Sequence, residues 1–409
     1  MPKSSTLSLK TAITLICACS ILSTCKKDKQ NPETDPCDSQ PVFQWNKTVM
    51  ITDGREANFH YAVAVDKTGN IYVASEVKGT VDADPGDGVL NLTGPGVVLQ
   101  KLSSEGKLIW AKEVDKPVFN FDIDGISLVF DYQQNIYLHT EYSTSPYSLG
   151  RNVRFNDKGE ITNGDDHQYG DFFLAVDKDG NRYDIGFENR LTIMNGNTLL
   201  AEKSTVDGGG FYSGIIDLKI SPNGNIYLLG RITDKDANFN PTNEAHIKLT
   251  EQPTDAKPAI FYLQKLDAKT NFLWVTQVGI GEYAGPLGLL IDNNDNVYVN
   301  TFNQDDWRYN TLRKIANTGT LAWKKQVIRN GSMAFDGDNN IYLDGYLQWE
   351  RYNAMGDLTW STLADASYNG HLIATGDGKN MYSLFPEPVA SSNYTKATIQ
   401  LRKYTFCGR

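Results

Sequence analysis

The chain lacks what a membrane span, a nucleic-acid binder or a familiar active site would require. No apolar run reaches the roughly 20 residues that a bilayer-crossing helix needs; the longest, residues 11–23, stops short. Lys and Arg number 39 against 49 Asp and Glu, a formal net charge of −10, and no basic run offers a face for phosphates. The i, i+3, i+4 spacing of amphipathic helices is almost missing. The five His, at positions 60, 139, 167, 246 and 371, show no metal-ligand spacing. There is no G-x-S-x-G elbow, no P-loop and no S-x-D-x-G-x-T-W box. No catalytic residue, metal or cofactor is therefore expected from the letters.

Cysteine is scarce as well, with five in 409 residues, and the N-terminus explains most of them. Lys3 and Lys10 precede the apolar stretch 11–23, the layout of a targeting segment that takes no part in the fold. Leu22-Ser23-Thr24-Cys25 resembles the lipobox of bacterial lipoproteins. That resemblance implies removal of residues 1–24, with Cys17 and Cys19, and a thioether-linked, acylated Cys25 as the mature N-terminus. A plain secretory peptide with an incidental Cys is the alternative. Loss of Lys3 and Lys10 takes the charge from −10 to −12. Residues 25–41 are polar and Pro-containing and read as a flexible tether. The expected address is the outer membrane of a Gram-negative envelope, periplasmic side or cell surface, anchored and not spanning. Lys26 in the second mature position is compatible with that export.

What the chain has in abundance is one phrase. VDKTGNIYVA at 65–74 returns as FDYQQNIYLH, SPNGNIYLLG, IDNNDNVYVN and FDGDNNIYLD. Seven Asn-x-Tyr triplets end at Tyr72, Tyr137, Tyr183, Tyr227, Tyr298, Tyr342 and Tyr382. Their spacing of about fifty residues lies in the range of solenoids and propellers. Apolar alternation around an Asp/Gly/Asn turn predicts a β-hairpin. Where Gly is missing from the turn, Gln134, Asp295, Asn339 or Lys379 replaces it. A second hairpin follows, as in LQKLSSEGKLIWAKEV at 99–114, so each unit has four strands, A to D. Residues 42–49 form a D strand with no A, B or C before it, whereas the last unit ends without a D strand. The prediction is an all-β, seven-bladed β-propeller over 42–409, closed by the N-terminal strand completing the last blade.

The phrases D-x-x-G-N-I-Y-V, T-V-D-x-D-P-G and L-x-K-L-x-x-x-G-x-x-x-W-A-K resemble the SBBP-type repeat of secreted bacterial propellers. KLDAKTNFLW at 265–274 also resembles the PQQ-type repeat of quinoproteins and of an envelope-assembly lipoprotein. The resemblance implies fold and export and brings no catalytic residues with it. Quinoprotein chemistry often uses neighbouring Cys, and the closely spaced pair here leaves with the signal. Cys37 and Cys407 remain, one just before the N-terminal strand and one just after the last C strand, and are expected to form a disulfide. Two free thiols are the alternative.

Asp-rich stretches at 82–87, 177–181 and 336–340 invite a calcium reading, the second with Glu188 at a twelfth position. All lack the required Gly at the sixth position, and turn formation explains two of them. Trp45, Trp110, Trp274, Trp323 and Trp360 share one strand-D position and are expected to pack between blades. The long connections, 78–96 and 231–258 with 50–60, 115–124 and 205–214, should crowd one rim. Trp307, Arg308, Asp305, Asp306, His60, Arg55, Tyr212 and Tyr283 are candidates for a ligand face there. The favoured function is a monomeric, lipid-anchored binding or scaffolding module for an envelope protein or glycan. An assembly scaffold like the PQQ-repeat lipoprotein and a carbohydrate-active enzyme with converging carboxylates are the alternatives.

Overall fold

A computed structural model describes residues 41–406 apart from 54–59, 116–121, 132, 145–146, 169–171, 187–188, 197, 209–213, 235, 242–246, 250–258, 282–285, 303–307, 329, 346–347, 364–370, 375–379 and 389–395. The described residues contain thirty β-strands and no α-helix. The chain opens on β1 (Pro41–Asp53). Blade 1 follows with β2 (Tyr61–Val65), β3 (Ile71–Val77), an inserted hairpin of β4 (Thr80–Asp82) and β5 (Asn91–Thr93), then β6 (Gly96–Leu102) and β7 (Leu108–Asp115). Blade 2 comprises β8 (Asp122–Phe130), β9 (Ile136–Thr144), β10 (Tyr147–Phe155) and β11 (Ile161–Gln168). Blade 3 comprises β12 (Phe172–Val176), β13 (Arg182–Gly186), β14 (Arg190–Asn195) and β15 (Thr198–Ser204). Blade 4 has β16 (Gly214–Ile220), β17 (Ile226–Ile232), β18 (Ile260–Leu266) and β19 (Phe272–Ile280). Blade 5 has β20 (Pro286–Ile291), β21 (Val297–Phe302), β22 (Tyr309–Ile315) and β23 (Leu321–Ile328). Blade 6 has β24 (Asn330–Phe335), β25 (Ile341–Gly345), β26 (Gln348–Tyr352) and β27 (Leu358–Leu363).

The last three strands, β28 (His371–Ala374), β29 (Asn380–Pro388) and β30 (Lys396–Phe406), form a sheet ordered β1-β30-β29-β28. Antiparallel pairing runs from Pro41 opposite Phe406 to Asp53 opposite Lys396, eleven paired positions in all. The first strand thus supplies the outer edge of the last blade, as the sequence predicts. Seven four-stranded antiparallel blades make a closed seven-bladed β-propeller.

The repeated phrase is turn chemistry repeated. In blade 1 the Asp66 carboxylate accepts the backbone N–H groups of Thr68 and Asn70 at 2.9 Å each, and the Asn70 side-chain amide at 2.8 Å. Asp131, Asp177, Asp292 and Asp336 do the same for their own Asn. The turn also needs one residue at positive φ: Gly69 at 85°, but Gln134 at 66°, Asp295 at 62° and Asn339 at 61° in other blades. The Asp carboxylates are buried, and a cation from strand C faces several of them. Arg154 reaches Asp131 at 2.9 Å, Arg351 reaches Asp336 at 3.6 Å and Lys314 reaches Asp292 at 3.9 Å. Strand-C cations also lie over the triplet tyrosines, with Lys314 Nζ 4.9 Å from the Tyr298 ring centre and Lys101 5.2 Å from Tyr72. Blade 3 lacks the cation, having Ile193 opposite Tyr183; the Tyr183 hydroxyl donates to Asp177 at 3.0 Å, as Tyr298 does to Asp292 at 3.2 Å in blade 5.

Strand-D tryptophans join neighbouring blades. The indole N–H of Trp110 donates to the Asp157 carbonyl at 3.0 Å, and that of Trp274 to Asn317 at 3.0 Å. Trp323 donates to Ala354 at 3.3 Å. Each acceptor lies in the C–D turn of the next blade. The turn glycine there must stay bare: a Cβ on Gly159, Gly319 or Gly356 would stand 2.8–3.0 Å from the indole ring.

Candidate functional site

Strand direction separates the connections. A–B and C–D turns are tight and share one face; B–C and D–A connections share the other. Two B–C connections carry inserts that are built alike. Asp82 Oδ1 accepts the N–H groups of Asp84 at 3.1 Å and Leu90 at 3.0 Å. In blade 4, Asn238 Oδ1 accepts those of Asn240 and Ile247, each at 3.1 Å. A fully buried Gln on strand C then ties each insert to the preceding blade. Gln100 donates to Val49 O at 2.7 Å and Ala83 O at 2.8 Å, and Gln264 to Thr205 O at 3.1 Å and Phe239 O at 2.8 Å. Residues 78–96 are therefore a folded strap rather than a free loop. The connections 50–60 and 115–124 are also shorter than the letters suggest, because β1 extends to Asp53 and β8 begins at Asp122.

Of the predicted ligand-face residues, the described part of the structure contains His60 and Arg308. His60 precedes β2, and its carbonyl accepts the Glu76 N–H at 3.0 Å. Arg308 precedes β22, is exposed, and lies with its guanidinium 5.6 Å from the Tyr309 ring centre. Topology puts both on the long-connection face, in blades 1 and 5. Trp307, Asp305, Asp306, Arg55, Tyr212 and Tyr283 lie outside the described residues, as do Cys25, Cys37, Cys407 and Glu188.

The sequence reading missed the buried carboxylates near this face. Glu76 is 4% exposed; burial raises its carboxyl pKa, while Lys78, 3.2 Å away, and His60 pull it down. Asp344, on β25, is pushed up to about 7 by burial despite accepting the Trp349 indole N–H at 2.8 Å. Its Oδ2 has no hydrogen-bond partner among the described residues. Burial, with the nearby Asp344 charge, pushes the Tyr61 hydroxyl up to about 12. The sequence did carry a signal: in IYLDG a carboxylate follows Tyr342 at the spacing that holds Ala74, Leu229 and Leu384 in other blades.

Burial also raises the Glu350 carboxyl, which accepts the Tyr352 hydroxyl at 2.9 Å and the Ile328 N–H at 3.3 Å. Ile328 ends blade 5, so Glu350 faces blade 5. Asp344 alternates with Leu343, the register partner of Glu350, and occupies the opposite face of the same blade. These two acids do not converge, and the carbohydrate-enzyme alternative gains no support from them. The calcium reading fares similarly, since the Asp177 and Asp336 oxygens are taken up by turn N–H donors. No group of three or more metal-ligating side chains occurs among the described residues.

The fold defines the class, a seven-bladed β-propeller. No family model matches the chain, and no curated protein does. Among solved structures, a protein of unknown function from Bacteroides caccae is 13% identical with a TM-score of 0.37, covering 70% of this chain and 94% of its own. A protein of unknown function from Dyadobacter fermentans is 13% identical with a TM-score of 0.46, covering 88% and 99%. A chain of a mitotic checkpoint complex is 10% identical with a TM-score of 0.47, covering 96% and 99%. Similarity at this level carries no function across.

Proposed function

We propose that this chain is a lipid-anchored propeller of a Gram-negative cell envelope that binds or scaffolds a protein or glycan through its long-connection face. The observation that carries the reading is the division of connections: short hydrogen-bonded turns on one face, and on the other the two strapped inserts, His60 and Arg308. Loops held by a rigid scaffold can present side chains at little ordering cost. Cys25 carries the lipid, and residues 26–40 lead from it to β1.

In the same reading Cys37 and Cys407 form a disulfide. Pro41, four residues after Cys37, pairs with Phe406, one residue before Cys407. The two thiols release two protons and two electrons to a disulfide-carrying oxidoreductase of the envelope. The test is a photo-crosslinking amino acid placed at Arg308, at Asp87 or at Lys269 in native envelopes, with adducts mapped by mass spectrometry for peptide and sugar. Adducts at Arg308 and Asp87 but not at the turn residue Lys269 are expected. Equal labelling at all three positions, or none, refutes a long-connection binding face.

A further inference from the structure

We propose that the opposite, tight-turn face rests on the surface of a lipid bilayer. The inference builds on the reading of Cys25 as a lipid anchor. Among the described residues, the large apolar side chains left exposed are Val89, Ile216 and a group placed with one regularity. Every member of that group lies in a C–D turn or within the first three residues of a D strand. Ile109, Ile161, Leu199, Leu273, Leu321 and Leu358 come one from each of blades 1 to 6, and Phe43 of β1 completes blade 7. Their exposures run from 47% for Leu273 to 58% for Ile161. Scattered apolar residues on a surface need no explanation, but a full circle at one height does.

Two features commit this belt to a bilayer. First, β1 opens at this face: Pro41 opposes Phe406 at the C–D end of blade 7. The tether from Cys25 therefore leaves beside Phe43. Its 16 residues reach at most about 55 Å, which keeps the belt close to the membrane and makes docking effectively intramolecular. Second, this face escapes the acidity of the chain. Exposed charges in the described A–B and C–D turns are five Lys against six carboxylates, and Lys101 and Lys403 pair with two of those carboxylates, Asp157 and Glu105. A near-neutral rim with a ring of aliphatic side chains can enter the headgroup boundary without repulsion from anionic lipid.

The test uses a fluorescent amino acid at Leu273, Leu321 or Asp87 and phosphatidylethanolamine/phosphatidylglycerol vesicles with brominated acyl chains. Two forms are compared: the natively processed protein, and a mature chain with Cys25→Ser held on nickel-chelating lipid by an N-terminal His tag. Quenching at Leu273 and Leu321 roughly threefold or more above that at Asp87 is expected in both forms. Leu273→Glu with Leu321→Glu should weaken partitioning of the untethered chain roughly tenfold; both sites are exposed, so circular dichroism should be unchanged. Uniformly low quenching of the nickel-held chain, or partitioning unaffected by the double substitution, overturns the docking face and leaves a protein or solvent over the belt. Mass analysis of the N-terminal peptide tests the anchor separately. An unmodified Cys25 together with strong quenching on nickel lipid refutes the anchor and supports the docking face.

Discussion

Blade 7 is fastened differently on its two sides. Towards blade 1, Val49 and Met50 of β1 and Leu401 of β30 share one apolar cluster with Val63, Ile71 and Val98, fourteen buried residues in all. The strap adds Val81 and Ala83 to that cluster, and Lys47 donates to the Gly106 carbonyl at 3.1 Å. Towards blade 6, the described residues give Tyr342 and Met381, with Trp349 and Tyr404 partly buried beside them. The same joint holds the buried Asp344 carboxyl. Joining strands from the two ends of the chain costs the most closure entropy, and the joint that pays it is the apolar one. Of its two sides, blade 7 should therefore open first towards blade 6, where fewer buried apolar residues are described and a carboxyl must be kept dry.

The largest expected effect bears on the well-fastened side. A Cys37–Cys407 bridge would close a loop of roughly 370 residues and contribute about 6 kcal/mol by chain entropy. Cys407→Ser should therefore lower the midpoint of urea unfolding substantially, and reductant should do the same to the parent but nothing further to the variant. An unchanged midpoint means that β1 is held by pairing and packing alone.

Next comes the pH response of the weak joint. The Asp344 pKa is about 7 in the folded chain against 3.8 when unfolded, so between these values the folded state holds a proton that the unfolded state has released. This contribution is full at and below about pH 4, falls as pH rises towards 7 and levels off above, a loss on the order of 4 kcal/mol. Tyr61, pushed up to about 12, stays neutral throughout this window. Asp344→Asn should flatten this profile and exceed the parent at pH 8. Parallel profiles for the two chains would mean that the carboxyl is ionised in the fold at little cost.

Two smaller changes probe the strong joint. Gly106 has φ 67°, and a Cβ there would stand 2.9 Å from the Trp45 ring, so Gly106→Val should cost about 3 kcal/mol through strain and displacement. Gly180, at φ 79° with nothing within 4 Å, isolates the backbone share, about 1–2 kcal/mol. Equal losses would show that Trp45 yields freely. Gln100→Ala orphans the buried Val49 and Ala83 carbonyls and should cost about 2 kcal/mol. Hydrogen exchange should then rise in β4 before it rises in β1; simultaneous opening would mean that the strap and the closing strand unfold as one unit.

These differences also mark what the letters could reveal. The turns were legible because Asp66, Gly69 and Asn70 act within five residues, and the left-handed position survives as Gln134, Asp295 or Asn339. Closure was legible because one strand was missing at one end and spare at the other. The strap was not, since Gln100 meets Val49 only after ring closure has brought residues 51 positions apart together. The tryptophans read as packing residues, but their N–H acceptors belong to the next blade. At the candidate site, Asp344 is a charge in an apolar strand, but its burial was not legible, since Trp349 comes from its own blade and Tyr61 from blade 1, at the joint with blade 7. Of the predicted ligand face, His60 and Arg308 fall within the described residues and share the expected side.

The smallest effect compares two tryptophans directly. Trp323, between blades 5 and 6, donates its indole N–H to Ala354. Trp360 occupies the same strand position one blade later and is 8% exposed, and its N–H has no partner among the described residues. C–D turns of the next blade supply that acceptor to Trp110, Trp274 and Trp323, whereas in blade 7 the C and D strands come from opposite ends of the chain. The N–H of Trp45, against the C–D turn of blade 1, likewise has no partner among the described residues. Trp323→Phe and Trp360→Phe lose similar apolar area, so the difference between them isolates the hydrogen bond. Trp323→Phe should cost about 1 kcal/mol more, because Trp360→Phe also removes a buried donor that has no acceptor among the described residues. Thermal unfolding of both variants measures the gap. Equal losses would mean that an acceptor reaches Trp360 at the seam, and the two sides of blade 7 would then differ in apolar area and in Asp344 alone.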